Sequence, residues 1–185
     1  MDLAFCKERL SATGVLFDDG LTAEELSAIE CEYGFRFPPD LREFLGFALP
    51  VSKGWLDWRR ESRSEITRRL AWPFEGMCFD IKHDAFWLDS WGAKPASLPD
   101  RYSVARTAVA AAPRLIPVYS HRYLPDRPSQ PGNPVFSVHQ TDIIYYGSDL
   151  FDYFCNEFGY HFGRSGYAFD GRARYIEFWS DLVDQ

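Results

Sequence analysis

Apolar residues recur at helical intervals in the first third of the chain and predict two helices there. Thr22 and Glu25 have the spacing of a capping box, which marks the start of a helix that Gly34 ends. Pro38 and Pro39 suit the first turn of a second helix. Its apolar positions lie three and four residues apart and predict one buried face: Leu41, Phe44, Leu45, Ala48 and Leu49.

The middle third of the chain gives weaker signals. A short charged helix is expected at residues 61–70, and an alanine-rich helix is expected at residues 101–112, where Pro113 stops it. Between these helices, repeated proline and glycine predict a loop-rich stretch. That stretch holds many large rings: Trp72, Phe74, Phe79, Phe86, Trp87 and Trp91.

From residue 115 onward the pattern becomes strand-like, with short runs of β-branched and aromatic residues. Strands are predicted at residues 115–119, 135–139 and 143–146, and the last two form a hairpin. Ser148 is expected to cap a further helix. The buried stripe of that helix consists of Phe151, Phe154, Cys155 and Phe158. Helices first, hairpin strands later and a helix last is the order of an α+β fold.

These elements predict one α+β domain over residues 1–185. The chain has 185 residues, which suits a single hydrophobic core, and 46% of them are apolar. Aromatic residues make up 17%, which is enough for some rings to lie at the surface as contact anchors.

The charge of the chain limits its partners. The formal net charge is −7 and the sequence pI is near 5.1. Such a chain repels the phosphates of nucleic acid and anionic lipid, so direct binding to either is not expected. The same field favours and steers a basic protein partner, such as a nucleic-acid-cleaving protein.

Neither a metal site nor a cofactor is predicted. The four histidines show no HxH or HExxH spacing, and the cysteines include no CxxC pair. The cysteines are expected to be buried, reduced thiols: Cys6, Cys31, Cys78 and Cys155. The first residues lack the basic and apolar regions of a signal peptide, and no stretch reaches the length of a membrane span. We therefore expect a cytoplasmic protein.

Four segments together resemble the SUKH superfamily, and more narrowly its Smi/Knr-type branch, which is named for a fungal regulator of cell-wall glucan synthesis. They are LTAEEL through GFRFPPDLREFL at residues 21–45, WLDWR at 55–59, LIPVYSHRYLP at 115–125, and GNPVFSV through YG at 132–147. The resemblance covers about residues 21–158, and residues 159–185 form a C-terminal extension.

The resemblance implies an α+β domain whose helices pack on a largely antiparallel sheet. Many bacterial members look like immunity proteins that protect a cell from a toxin, often a nuclease, and fungal members act as interaction hubs. The family has no shared catalytic residue, so the resemblance implies a non-enzymatic protein-binding domain that neutralises a toxin. The alternatives are an intracellular scaffold or regulator without a toxin partner, or a small hydrolase that uses His121 or His139.

The candidate partner-binding residues form three groups. The first is an acidic set around the first predicted helix: Asp18, Asp19, Glu24, Glu25, Glu30 and Glu32. Of this set, Glu24, Glu25 and Glu32 would meet a basic partner, and a solvated surface is the alternative. The second borders a groove, with core packing as the alternative for its rings: Trp55, Asp57, Trp58 and Arg59. The third is His121 beside Arg122, a proton donor next to an anion clamp, or else two structural groups in a loop between prolines.

Overall fold

An α+β fold forms from seven helices and six strands in residues 1–169 and 171–183, which are the residues that the computed structural model describes. The helices are α1 (Leu3–Ala12), α2 (Ala23–Tyr33), α3 (Pro39–Phe47), α4 (Arg63–His83), α5 (Leu98–Ala111), α6 (Leu150–Glu157) and α7 (Trp179–Val183). The strands are β1 (Phe17–Asp19), β2 (Ala48–Pro50), β3 (Leu115–Tyr119), β4 (Arg122–Pro125), β5 (Val135–His139) and β6 (Asp142–Gly147). The predicted fold class is confirmed.

Both sheets are antiparallel. β1 pairs with β2, and the larger sheet has the strand order β3-β4-β5-β6. Residues of β3, β4 and β5 alternate between two apolar cores, so that Leu124 of β4 faces one core and its neighbour Tyr123 faces the other. A strand covered on both faces is buried along most of its length, and β3, β4 and β5 each have four buried residues.

Helices cover both faces of the larger sheet. On one face, α1, α2, α3 and α6 surround Phe44, whose ring centroid lies 5.1 Å from that of Phe154; this is the first core. On the other face, α5 and α7 pack around Trp179, whose indole Nε1 donates to the Pro113 carbonyl at 2.6 Å; this is the second core. The predicted burial of Phe44 is confirmed.

Helix α4 runs for 21 residues with Pro73 inside it, so the prediction of a loop after residue 70 is wrong up to His83. A proline has no N–H, and Pro73 therefore leaves the carbonyl of Arg69, one turn earlier, without its helical donor. The hydroxyl of Tyr123 on β4 donates to that carbonyl at 3.0 Å. The helix tolerates its proline because the sheet supplies the missing donor.

Helix α4 also belongs to both cores. Before Pro73, Ile66 packs in the first core, and after it, Met77 packs in the second. Gly76 lets the helix approach the turn between β5 and β6, because a Cβ at this position would lie 2.8 Å from the Cα of Gln140. The backbones meet too closely there for any larger residue.

The first third of the chain differs from the predictions at one helix end and in one additional helix. Helix α3 ends at Phe47, and Ala48 has an extended backbone that pairs with Asp19, so Ala48 and Leu49 belong to β2 and not to the helix. Helix α1 lies outside the predicted elements. Asp2 caps it by accepting a hydrogen bond from the Phe5 N–H at 3.0 Å.

The cap and the buried stripe of α6 also need correction. Asp149, not Ser148, is the cap, and it accepts from the Asp152 N–H at 2.7 Å. Phe151 is 39% exposed, and Tyr153 is buried on the core face in its place. The cysteines are free thiols, but only Cys6 and Cys155 are fully buried; Cys78 is half-buried and Cys31 is exposed, contrary to expectation.

Candidate functional site

Glu25, in the middle of the predicted acidic surface, is held by the protein itself. Its Oε2 accepts from the Thr22 N–H at 2.8 Å, and its two oxygens accept from Nε and Nη2 of Arg59 at 2.6 and 2.8 Å. Arg59 also donates to the carbonyls of Asp19 and Gly20 at 3.0 and 3.1 Å. The bonds from Arg59 and then Thr22 lower the pKa of the Glu25 carboxyl to about 2, because they favour its ionised form.

Most of the remaining acidic set is paired in the same way. Five guanidinium groups contact four of the six carboxylates: Arg36 and Arg42 contact Glu30, Arg59 contacts Glu25, Arg60 contacts Asp18, and Arg63 contacts Glu32. Glu24 and Asp19 are exposed and form no ion pair within residues 1–169 and 171–183. Six carboxylates beside five arginines leave little net charge, so this surface attracts a distant basic partner only weakly.

Trp55 and Trp58 lie in the first core, so of the two alternatives for these rings, a groove border and core packing, the structure shows core packing for both. The Trp55 ring centroid is 5.2 Å from that of Tyr119 and 6.2 Å from that of Phe154. The Trp58 ring meets Phe37 edge-on at 5.1 Å. These large rings fill the space that α3 leaves against the sheet, and both tryptophans are nearly inaccessible to solvent.

Asp57, between the two tryptophans, shapes the local backbone. One of its oxygens accepts from the N–H groups of Arg59 and Arg60 at 3.1 Å each. This geometry positions Arg59 for its contact with Glu25. The structure thus joins Asp57, Arg59 and Glu25 into one bracing network, and within the described residues no hydrogen bond connects this network to His121.

Arg122 is buried in β4 and balanced by a carboxylate. Its Nε donates to Glu157 at 2.9 Å, its Nη1 donates to the Ser137 hydroxyl at 2.8 Å, and its guanidinium carbon lies 3.8 Å from the ring centroid of Tyr146. Arg122 therefore has a structural role, which was one of the two alternatives for it. It lies in a strand and not in the expected loop. Its charge is satisfied inside the protein.

His121 lies at the turn between β3 and β4 and is half-buried. Its Nδ1 is 3.2 Å from the Ser120 hydroxyl, and its Nε2 contacts the Arg122 guanidinium. Burial, followed by the positive charges of Arg122, His139 and Arg69, lowers the pKa of the imidazole. A general base must take up a proton, and these cations oppose that step. Within the described residues no carboxylate bonds to His121.

A group of rings outside the predicted site forms the aromatic surface, which we define as Phe5, Phe151, Tyr160 and Phe162. The Phe5 ring centroid lies 6.4 Å from that of Phe151 and 6.0 Å from that of Phe162, and the last two are 6.3 Å apart. Tyr160, in the short 3-10 turn Gly159–Phe162, is 90% exposed. Three mutually packed phenylalanines therefore reach the surface where α1, α6 and this turn meet.

The sequence contains only a partial signal for the aromatic surface. Phe151 lies three residues before Phe154, and this helical spacing placed it on the buried stripe. Phe5 belongs to a helix whose apolar pattern is weak, with Cys6 and Leu10 as its buried positions. The two phenylalanines meet through tertiary packing of α1 on the turn after α6, which no local pattern encodes.

Neither a metal centre nor a membrane helix emerges from the described part of the chain. Within it, no three histidine, cysteine or acidic side chains are grouped so that they could hold a metal ion. Within it, too, no helix combines the length and apolar character needed to cross a bilayer.

Comparisons with protein-family models, with curated proteins and with solved structures find no match to this chain. The resemblance to the SUKH superfamily therefore stays a hypothesis that rests on the four segments quoted above.

Proposed function

We propose that this chain is a non-enzymatic protein-binding domain that holds its partner on the aromatic surface. The observation that supports this proposal is the mutual packing of Phe5, Phe151 and Phe162 at the surface, next to the exposed Tyr160. Aromatic rings at an interface contribute a large contact area with little loss of rotamer entropy, and they dominate binding energy at many interfaces.

The proposed partner is a basic protein, and the SUKH resemblance suggests a toxin such as a nuclease that this chain neutralises in the cytoplasm. Residues 141–185, which include α6 and the turn that follows it, carry eight carboxylates and three arginines. The net charge of −7 on the whole chain favours a basic partner and would steer it toward the protein.

The test compares three versions of the chain as baits. Phe151→Ser combined with Tyr160→Ser removes two exposed rings of the aromatic surface, and Phe79→Ser removes an exposed ring from α4, whose C-terminal half packs on the opposite face of the sheet. Wild type and Phe79→Ser should recover the same basic protein from a lysate of the source organism. The double variant should lose it while its melting temperature stays near that of wild type.

The recovered protein is then purified and assayed. Addition of one equivalent of wild-type chain should abolish its activity, and the double variant should fail to do so. Equal recovery by all three baits would show that the partner binds elsewhere. Full inhibition by the double variant would exclude the aromatic surface as the site, and a partner whose activity no version changes would exclude the toxin-neutralising role.

A further inference from the structure

A small cationic pocket lies between α4 and the hairpin formed by β3 and β4. Its volume is about 260 Å³, slightly below the range of roughly 300–1,000 Å³ that holds drug-sized ligands. Its walls combine two arginines with polar and aromatic side chains: Arg68, Arg69, Trp72, Ser120, His121, Tyr123 and His139. No acidic side chain among the described residues lines it. The pocket therefore suits a small ligand with negative charge.

One arginine of this pocket lacks a carboxylate partner among the described residues, and the other has one. The guanidinium of Arg68 is held by both carboxylate oxygens of Glu65, with Nε 2.7 Å from Oε2. Arg69 has no carboxylate partner within residues 1–169 and 171–183. Its Nη2 lies 3.4 Å from the Gly54 carbonyl, and its Nε is buried without any hydrogen-bond acceptor.

A buried donor on a charged group is unfavourable when it has no acceptor, and buried polar groups in proteins seldom lack one. An anion in the pocket would give the Arg69 guanidinium the partner that the protein does not provide.

The indole of Trp72 gives the pocket an aromatic wall. Its side chain is 39% exposed, with the Arg68 guanidinium carbon 5.7 Å from the ring centroid. Tyr123 lies beneath, fully buried, with its hydroxyl committed to the Arg69 carbonyl. An aromatic ring on the ligand could therefore pack against Trp72 while its anionic group reaches Arg69 and His139.

We propose that this pocket binds a phosphate group carried on a small aromatic molecule. Arginine suits a phosphate because its planar N–H groups match the oxygens of the anion, and such charge-assisted bonds are stronger than neutral ones. His139 is exposed at the end of β5 and lines the same pocket, where it adds a second donor. This site is separate from the aromatic surface and independent of the protein-binding proposal.

The test is isothermal titration calorimetry of the full chain with phenyl phosphate and with inorganic phosphate. Sodium chloride keeps the ionic strength constant, so that general screening does not change between titrations. Phenyl phosphate should bind with one saturable site, and inorganic phosphate should bind more weakly. Arg69→Gln should weaken both by roughly tenfold or more, as expected for the loss of a charge-assisted bond. Trp72→Leu should weaken phenyl phosphate only.

Arg106→Gln is the matched control. Arg106 is an exposed arginine on α5 whose guanidinium carbon lies 4.8 Å from the Phe74 ring centroid, and it lines a different cavity. Its loss should leave both affinities unchanged. If Arg69→Gln does not fold by circular dichroism, His139→Gln, at an exposed position, takes its place and should weaken both ligands by roughly threefold or more.

Three outcomes would overturn the proposal. The first is the absence of saturable binding of phenyl phosphate to wild type up to about 10 mM, the range of very weak binding. The second is an equal effect of Arg106→Gln and of the pocket variants, which would indicate general electrostatics and no site. The third is equal affinity for both probes with no effect of Trp72→Leu, which would remove the aromatic part of the ligand. None of these depends on a protein partner.

Discussion

Replacing Tyr123 with phenylalanine removes one hydroxyl group from the second core and should destabilise the protein. That hydroxyl donates to the Arg69 carbonyl at 3.0 Å, which has no helical donor because Pro73 stands one turn later. The ring remains, so the packing changes little. The free energy of unfolding should therefore fall by about 1–2 kcal/mol, the value for one hydrogen bond to a part-buried carbonyl. The cost arises because the carbonyl stays out of water without a donor.

The proline provides the internal control. Pro73→Ala restores an N–H that can donate to the same carbonyl, so the Tyr123 hydroxyl becomes redundant. In that background Tyr123→Phe should cost less than about 0.5 kcal/mol, which is the error of additivity between independent sites. The double variant should therefore be roughly 1 kcal/mol more stable than the sum of the two single effects predicts.

Urea denaturation of the four proteins, followed by circular dichroism, measures this coupling, provided that the m-values agree. Additive effects of the two substitutions would refute the reasoning, because the hydroxyl would then stabilise the protein independently of the proline. A neutral effect of Tyr123→Phe in the wild-type background would refute it as well.

Three further predictions concern stability and reactivity. Phe44→Ala should lower the free energy of unfolding by about 3–5 kcal/mol in urea titrations, since the ring is fully buried against Phe154; a loss under about 1 kcal/mol is typical of a surface site and would contradict the core assignment. The pKa of Glu25 is lowered to about 2 in the folded state. Its contribution to the free energy of unfolding is therefore complete above its unfolded pKa of about 4.3 and is lost as the pH falls toward 2. Glu25→Gln should reduce the fall in melting temperature that the wild type shows as the pH is lowered below about 4.3. An unchanged fall would contradict a stabilising bond between Arg59 and the ionised Glu25. Iodoacetamide should modify the exposed Cys31 in native protein and spare Cys6, whose pKa burial raises to about 11; mass spectrometry that finds Cys6 modified first would contradict its burial.

Elements with strong local signals could be predicted from the sequence. The capping box of Thr22 and Glu25 starts α2, and Gly34 ends it with a left-handed φ of 68°. The hairpin of β5 and β6 follows from its apolar runs and its turn. In each case the signal lies within a few residues, so local propensity and capping are sufficient.

Helix α4 could not be predicted in full because its stability after residue 70 depends on the sheet. Pro73 and Gly76 are both helix-breaking by propensity. The Tyr123 hydroxyl compensates the first, and close contact with the β5–β6 turn requires the second. Both contacts join residues that are far apart in the sequence. Tertiary structure therefore overrides the local pattern.

The candidate site was less predictable than the fold for a similar reason. The sequence indicates that Glu25 and Arg59 are charged, but not that they bond to each other although they are 34 positions apart. It indicates that Trp55 and Trp58 are aromatic, but not that both fill the first core. Whether a polar or aromatic residue is available to a partner depends on its neighbours in space, and composition alone cannot show them.

Because α4 belongs to both cores, it couples the stability of the two faces of the larger sheet. Ile66 and Met77 are on one helix, so loosening of either core removes a wall of its neighbour. We expect the two sides of the sheet to unfold in a single transition, not as separate units. A protein held on the aromatic surface would then raise the melting temperature of the whole molecule, including the pocket proposed to bind phosphate, because a ligand that binds only the folded state stabilises everything that unfolds with its site.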